Sequence, residues 1–268
     1  MIRLAVFDVD RTLVPPEQGV VAPETAAALK QLQAKGIKTA IASGRLYAFL
    51  QQEILDLGFD YYIMSNGTYV TDHTGQVLEK TILEPDVVDA FSKEMLSRGH
   101  PFNIRYCMGH TTGNPNVTVF ERMQPIWAAQ PFKGKPPKAM MEEYEPREGE
   151  QPVSLGGFIP EEEQAEFIDL FPNLDFLSVF EGPLCDINPA GVSKATGIET
   201  ICHLTGIDPK ETIAFGDDRN DLEMIEKAGI GVAMGNGIQA VKDAADYITL
   251  PSLELGVVAA LRHFGLIE

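Results

Sequence analysis

Two acidic clusters hold most of the chemical potential of this chain. Asp8 and Asp10 stand in the segment FDVDRTL, directly after a short apolar run. Residues i and i+2 leaving a strand point to the same side, so these carboxylates converge beyond its C-terminal end, where open α/β sheets bind ligands. A solvated acidic turn is the other reading of such a pair. Asp217, Asp218 and Asp221 follow a second apolar run in IAFGDDRND. Carboxylates gathered at one sheet edge repel one another unless a cation joins them, and an oxygen-only donor set selects Mg²⁺ over a soft metal. Asp217 or Asp218 can also serve as the N-cap of the following helix, and the two roles can coexist. Ser43, in IASGR, ends another apolar run. Its hydroxyl and the following N–H groups could hold a phosphate at a helix N-terminus, or simply cap that helix. Lys194, in GVSKATGI, is a lone lysine at a helix start, where lysines usually face solvent. It gains weight because no other obvious cation is at hand to balance a phosphate.

Positioning these groups requires a particular succession of elements. Ile2 to Phe7 is a continuous apolar run ended by acidic residues, the pattern of a strand buried on both faces of a parallel sheet. Pro23 to Ala34 predicts a helix, with proline at its start, Ala27, Ala28, Leu29 and Leu32 on one side and Gly36 as its stop. Strand Ile37 to Ala42 and helix Leu46 to Leu57 continue the alternation. The end of the chain repeats it: helix Ser193 to Leu204, strand Thr212 to Phe215, helix Asp218 to Lys227 and strand Gly231 to Met234. Helix Ile238 to Ala244, strand Tyr247 to Leu250 and helix Leu255 to His263 complete it. Such alternation predicts a doubly wound parallel sheet, an α/β fold with a Rossmann-like core. Between the halves the texture changes. A helix at Asp86 to Ser97 and strands at Phe102 to Cys107 and Val117 to Phe120 precede a Pro/Lys/Glu-rich stretch from Pro131 to Gln151. Strand Ser154 to Ile159, helix Glu161 to Phe171 and strand Phe176 to Phe180 follow. This predicts an inserted α+β unit, an antiparallel sheet backed by helices.

Bulk properties narrow the function classes. A formal charge of −18 argues against nucleic acid and against an anionic membrane surface, which need a cationic face. An acidic protein that handles phosphate must then build a local positive site. The chain has no apolar run of spanning length and no signal-peptide pattern at its N-terminus, which predicts a soluble cytoplasmic protein. Cys107, Cys185 and Cys202 lie far apart and read as packing residues, and the five histidines lack zinc-site spacing.

The four segments DVDRTL, IASGR, the lysine at 194 and GDDRND, in this order, resemble the nucleophile, Ser/Thr, lysine and acidic metal motifs of the haloacid dehalogenase superfamily of phosphotransferases. SNGTYV, DINPAGVSK, AMGNGI and the long insert resemble its Cof-type subfamily, which carries a large C2 cap. The resemblance covers a core of residues 1–82 and 184–268, with 83–183 as the cap, matched in placement and α/β content only. It implies Mg²⁺-dependent hydrolysis of a small phosphomonoester, a sugar phosphate or similar metabolite, through an aspartyl-phosphate on Asp8. By the same resemblance Asp10 is the general acid/base. Asp8, the Asp10 carbonyl and Asp217 bind Mg²⁺, and Asp221 supports the metal shell. Ser43, Gly44, Lys194 and Asn220 contact the phosphate or stabilise that contact. The implied partner is a small phosphorylated molecule, and the implied state a monomer or homodimer.

Alternatives are a phosphomutase or specialised phosphosugar phosphatase on the same scaffold, a receiver-like signalling domain, and a non-catalytic phosphate binder. A receiver needs neither the cap nor an acid for a leaving group. Arg105, His110, Arg122 and Trp127 are candidates, by residue type, for contact with the leaving group. At residue 11 the chain has Arg where the family usually has Gly, which permits unusual backbone angles. The expectation is ordinary angles at Arg11, with its side chain turned toward the cap or solvent.

Overall fold

A strand with four apolar side chains in succession is stable only if both its faces are covered, and the chain is arranged around that requirement. The computed structural model describes residues 1–114, 121, 142–179 and 182–268. In chain order these residues form β1 (Leu4–Phe7), α1 (Pro23–Ala34), β2 (Lys38–Ala42), α2 (Gln52–Leu55), β3 (Tyr61–Met64), β4 (Tyr69–Asp72) and β5 (Val77–Lys80). Next come α3 (Pro85–Ser97), β6 (Phe102–Tyr106), β7 (Gly109–Thr112), β8 (Ser154–Phe158), α4 (Glu161–Leu170), β9 (Leu174–Ser178) and β10 (Leu184–Pro189). The C-terminal part contains α5 (Lys194–Thr205), β11 (Thr212–Gly216), α6 (Leu222–Lys227), β12 (Ile230–Ala233), α7 (Gln239–Ala244), β13 (Tyr247–Ile248) and α8 (Gly256–His263).

The first sheet has eight strands in the order β13-β12-β11-β1-β2-β3-β4-β5. β1 pairs in parallel with both β11 and β2, while β4 and β5 join antiparallel at one edge. Successive β1 side chains enter opposite layers. Ala5 and Phe7 pack with Leu29 and Leu32 of α1 and Leu261 of α8, whereas Leu4 and Val6 pack with Ile198 and Ile201 of α5 and Met224 of α6. The sheet is doubly wound, as the alternation of elements predicts.

The second sheet is antiparallel, ordered β7-β6-β8-β10-β9. Its two faces differ. Phe102, Leu155 and Ile187 point into an apolar cluster with Phe91 and Met95 of α3 and Phe167 of α4. Asn103, Arg105, Ser154 and Asp186 alternate with these along the same strands, so polar groups form the face that the helices leave uncovered. This face meets the first sheet: Ser154 Oγ and Ser65 Oγ share a buried hydrogen bond of 2.7 Å. The Tyr69 hydroxyl, on β4, donates to the Cys107 carbonyl at 2.8 Å.

Three local expectations change. Leu46 to Leu57 is not one helix. A 3-10 turn at Tyr47–Phe49 gives way to extended backbone at Leu50 and Gln51 before α2 begins. The segment wraps instead around Arg45, whose guanidinium reaches the Gln51 side chain at 3.0 Å and the Phe49 carbonyl at 3.5 Å. Leu184–Pro189 does not return to the first sheet. As β10 it pairs with β8 and β9, so the second sheet extends beyond residue 183. Arg11 has φ 64°, in the left-handed region. The turn closes through Arg11 N–H to the Val14 carbonyl and Val14 N–H to the Val9 carbonyl, and this reversal imposes the conformation on whatever residue stands there. The strand expected at Val117 to Phe120, the end of the one expected at Phe180, Arg122 and Trp127 lie outside the described residues. Cys107, Cys185 and Cys202 are buried free thiols, in keeping with a packing role.

Between β3 and β4 the chain turns from parallel to antiparallel through Ser65, Asn66 and Gly67, all at positive φ. Gly67, at φ 102°, packs on the segment before α5, and a Cβ there would fall 2.0 Å from the Ser193 carbonyl oxygen. Gly67→Ala is therefore expected to destabilise the protein by about 2–5 kcal/mol, the sum of left-handed strain and a clash with backbone that has no rotamer to yield. Urea denaturation checks this. A loss below 1 kcal/mol would show that the α5 start can move aside.

Candidate active site

The carboxyl edge of the first sheet gathers the acidic residues. Asp8 leaves β1 with its N–H donating to the Phe215 carbonyl at 2.9 Å. Asp217 leaves the adjacent β11, and Asp221 folds back beneath it. The space that a Cβ on Gly216 would need is filled by Asp221, 2.5 Å away, so only glycine lets this side chain tuck under. Asp221 Oδ2 accepts the backbone N–H groups of Asp217 and Asp218 at 2.8 and 3.0 Å. Asp218 caps the short turn that follows, accepting from Arg219 N–H at 2.8 Å. The capping role thus falls to Asp218, while Asp217 and Asp221 are buried.

Lys194 is not a solvent-facing lysine. It opens α5 fully buried, and its Nζ donates to Asp8 Oδ1 and Asp221 Oδ1, both at 2.6 Å. Asp10 lies to one side, held by Arg45 in a two-point ion pair: Nε to Oδ2 at 2.9 Å and Nη2 to Oδ1 at 2.6 Å. Ser43 is buried, and its Oγ accepts from the Arg45 N–H at 3.2 Å. No α-helix begins there, since the chain continues into the 3-10 turn. Gly44 has room for no side chain: a Cβ would lie 2.9 Å from Asp186 Oδ2 and 3.2 Å from Asn66 Oδ1. Asn220 donates to that same Asn66 oxygen at 2.9 Å. Asp8, Lys194, Asp217 and Asp221 thus form one buried group, and Gly44 and Asn220 meet beside it at Asn66.

Several residues here were not singled out from sequence. Thr12 Oγ1 donates to Asp217 Oδ1 at 3.1 Å. Arg45 stands two residues after Ser43 in the same segment, a position that could have drawn attention. Asn66 donates to Asp186 Oδ2 at 3.2 Å, and Arg105 to Asp186 Oδ1 at 2.7 Å, joining the polar face of the second sheet to this edge. Arg105 is therefore near the site. His110 meets Phe49 edge-on, and its buried Nδ1 has no hydrogen-bond partner among the described residues. Arg11 also departs from expectation. Its guanidinium turns to the core, Nε 3.2 Å from Asp217 Oδ2 and Nη2 donating to the Asn236 carbonyl at 3.0 Å. There it faces the buried Asp217 carboxyl and favours its charged form.

Burial is the largest influence on the acidic group. It raises the Asp8 carboxyl well above the ordinary range; Lys194 opposes this, and Asp221, Asp217 and Asp10 add to it. Asp217 is pushed up to about 8 by burial and by Asp221, with Arg11 acting against both. A hard cation would relieve this arrangement. Ligand atoms of Asp8, Asp217 and Asp221 lie within 4.8 Å of one another. Asp217 Oδ2, buried, has no hydrogen-bond partner among the described residues. Both Asp221 oxygens are engaged by Lys194 and the two N–H groups, which suits support better than direct ligation. Oxygen donors alone fit Mg²⁺.

Comparison with known proteins gives a consistent result. Residues 5–261 match the family model of haloacid dehalogenase-like hydrolases. The chain is 31% identical to YkrA of Bacillus subtilis over 267 residues, 99% of each chain. It is 30% identical over 267 residues to the HMP-PP phosphatase of Serratia proteamaculans, covering 95% of this chain and 90% of that one. Among solved structures, the HAD subclass IIB sugar phosphatase BT4131 aligns at TM-score 0.83 and 31% identity, covering 99% of this chain and 100% of its own. No helix among the described residues is long and apolar enough to cross a membrane.

The Asp217 shift has a measurable sign. A carboxyl raised in the folded state from 3.8 to about 8 contributes stability that is full below about pH 4 and lost as pH rises through 8. Carboxylates held low and His110, also held low, complete their opposite changes by about pH 6.5. Asp8, raised as well, acts in the same direction, so metal-free protein is expected to lose melting temperature between about pH 6.5 and 8.5, with excess Mg²⁺ flattening the slope and Asp217→Asn reducing it. An unchanged slope in Asp217→Asn would remove Asp217 as its source.

Proposed function

Because this chain belongs to the haloacid dehalogenase-like hydrolase family and is a phosphatase, we propose that it hydrolyses a small phosphomonoester, a sugar phosphate or similar metabolite, through an aspartyl-phosphate on Asp8 with Mg²⁺ at the acidic edge. The observation that carries this reading is the buried trio of Asp8, Asp217 and Asp221, with Lys194 on Asp8 and an Asp217 oxygen that has no hydrogen-bond partner among the described residues. A non-catalytic phosphate site has no need for a buried carboxylate aimed at its ligand. The naming of related proteins as a sugar phosphatase and as an HMP-PP phosphatase supports the substrate class.

In this proposal an Asp8 oxygen attacks phosphorus, forming the acyl phosphate bond as the bond to the leaving oxygen breaks. Asp10 gives its proton to that departing alkoxide. It then takes a proton from water, whose oxygen attacks the acyl phosphate and releases inorganic phosphate with Asp8 restored. Arg45 holds the ionised Asp10 by both oxygens, the form that takes a proton from water; to act as acid, Asp10 must release one of these contacts to carry its proton. Ser43, Gly44 and Asn220 hold the transferring group. A carboxylate approaching a phosphate dianion meets repulsion of about 4 kcal/mol per charge pair at 4 Å with an effective dielectric constant near 20. Lys194 offsets part of it. Bound Mg²⁺, held by Asp8, Asp217 and the Asp10 carbonyl with Asp221 in support, supplies the remaining positive charge. The second sheet, inserted as a cap spanning about residues 83–183 and its β10 continuation, excludes water and offers Arg105 and Asp186 to the leaving group. The proposed setting is cytoplasmic.

A panel of metabolite phosphomonoesters is expected to yield inorganic phosphate with Mg²⁺ and none after chelation, and Asp8→Asn to abolish turnover in a folded protein. Full activity in excess EDTA, or phosphate trapped on another residue, would defeat the reading. Asp10→Asn separates the two proton duties. A nitrophenyl ester expels a stable anion and hardly needs the acid. This variant should therefore give a nitrophenol burst approaching one equivalent per site and then stall, while a sugar phosphate scarcely reacts. Equal losses with both substrates and no burst would show that Asp10 is not the acid/base.

A further inference from the structure

Arg11 is held in place from two directions. Its own carbonyl accepts from Asn236 Nδ2 at 2.9 Å, its Nη2 donates to the Asn236 carbonyl at 3.0 Å, and Asn236 Oδ1 in turn accepts from Ser252 N–H at 2.7 Å. This clamp brings the guanidinium to Asp217 Oδ2, where Nε stands 3.2 Å away. The contact lacks the alignment of a hydrogen bond, since that oxygen has no hydrogen-bond partner among the described residues. What remains is attraction between charges. The two side chains also differ in exposure: Arg11 is 35% accessible and Asp217 1%. The cation therefore enters from the solvent side and can leave by the same route, while the carboxylate cannot follow. Lys194 serves Asp8 and Asp221 and makes no bond to Asp217. Among the described residues, the side-chain cations in contact with the three buried carboxylates are Lys194 and Arg11, and Asp217 has Arg11 alone.

We propose that Arg11 is a tethered counter-cation for Asp217 that competes with the divalent ion and so sets the affinity of the acidic site for it. The proposal rests on the reading of that site as a Mg²⁺ site. Without the ion, Arg11 partly neutralises the one buried carboxylate that Lys194 does not reach. When the ion binds, it must share or take over the Asp217 oxygen that the guanidinium faces. A positive charge already beside a ligand weakens binding of a second by the same electrostatics that let a neighbouring cation shift a carboxylate by one to three pKa units. The left-handed backbone at Arg11 makes the position easy to alter, because glycine and asparagine both accept φ 64°.

Calorimetric titration of metal-stripped protein with Mg²⁺, without substrate, tests this. Arg11→Gly and Arg11→Asn are each expected to bind Mg²⁺ about 10-fold more tightly than the unaltered protein, while Arg11→Lys, which keeps the charge, stays closer to it. Affinities unchanged or weakened in both neutral variants would overturn the role of Arg11 and leave the metal reading standing. A different failure is separately visible. If the unaltered protein shows no saturable Mg²⁺ binding, or if Asp217→Asn binds as it does, the metal reading fails and this inference with it.

Discussion

Three buried carboxylates side by side repel one another, and most of the local architecture exists to make that tolerable. Lys194 lies between two of them, fully buried, at 2.6 Å from each. Removing one member of such a buried pair costs about 3–5 kcal/mol, because the survivor is left charged and dry. Placing an ammonium there makes demands on distant segments. The start of α5 must come close to the loop after β3, which Gly67 allows. The body of α5 must then press on β3, and Gly197 allows this, since a Cβ there would meet Ile63 at 2.2 Å. Asp221 must pass beneath β11, which Gly216 allows. Each glycine gives up side-chain packing so that charge can be met by charge.

The parts legible from sequence were those in which local pattern and long-range environment agree. β1 and β11 read as buried strands because apolar residues follow one another there, and both prove covered on each face. α1 was bounded correctly from Pro23 to Ala34, its proline and apolar stripe being local signals. The acidic clusters were legible because carboxylates have few reasons to collect after apolar strands. What escaped depends on partners far away in the chain. The segment from Leu46 to Leu57 has helical periodicity but wraps around the guanidinium of Arg45, whose tie to Asp10 spans 35 residues. Leu184–Pro189 carries the period-two signature of any half-buried strand, and nothing in it specifies which sheet it joins. Arg11 misled because residue type suggested its backbone angles, whereas the tight Val9 to Val14 reversal decides them.

The second sheet shows how one alternation serves two purposes. Phe102, Leu155 and Ile187 hold it to α3 and α4, and the intervening Asn103, Ser154 and Asp186 meet the first sheet. A sheet with two apolar faces would have sealed against the core as a second hydrophobic layer. With one polar face it meets the first sheet through specific bonds such as Ser154 to Ser65, beside the apolar contact that Cys107 and Val153 make with the core.

The side chains from Asn220 to Arg105 also have a polarity. Asn220 donates to Asn66, Asn66 donates to Asp186, and Arg105 donates to the other oxygen of that same carboxylate. Asp186 is thus a sink on which donors from both sheets converge. No amide in the series can turn round without setting donor against donor or acceptor against acceptor. Withdrawing the guanidinium from one oxygen would leave a full negative charge facing only a neutral amide, and that amide in turn is held by Asn220. The loop after β11 and the strand β6, remote in sequence and built on different sheets, answer to one shared acceptor.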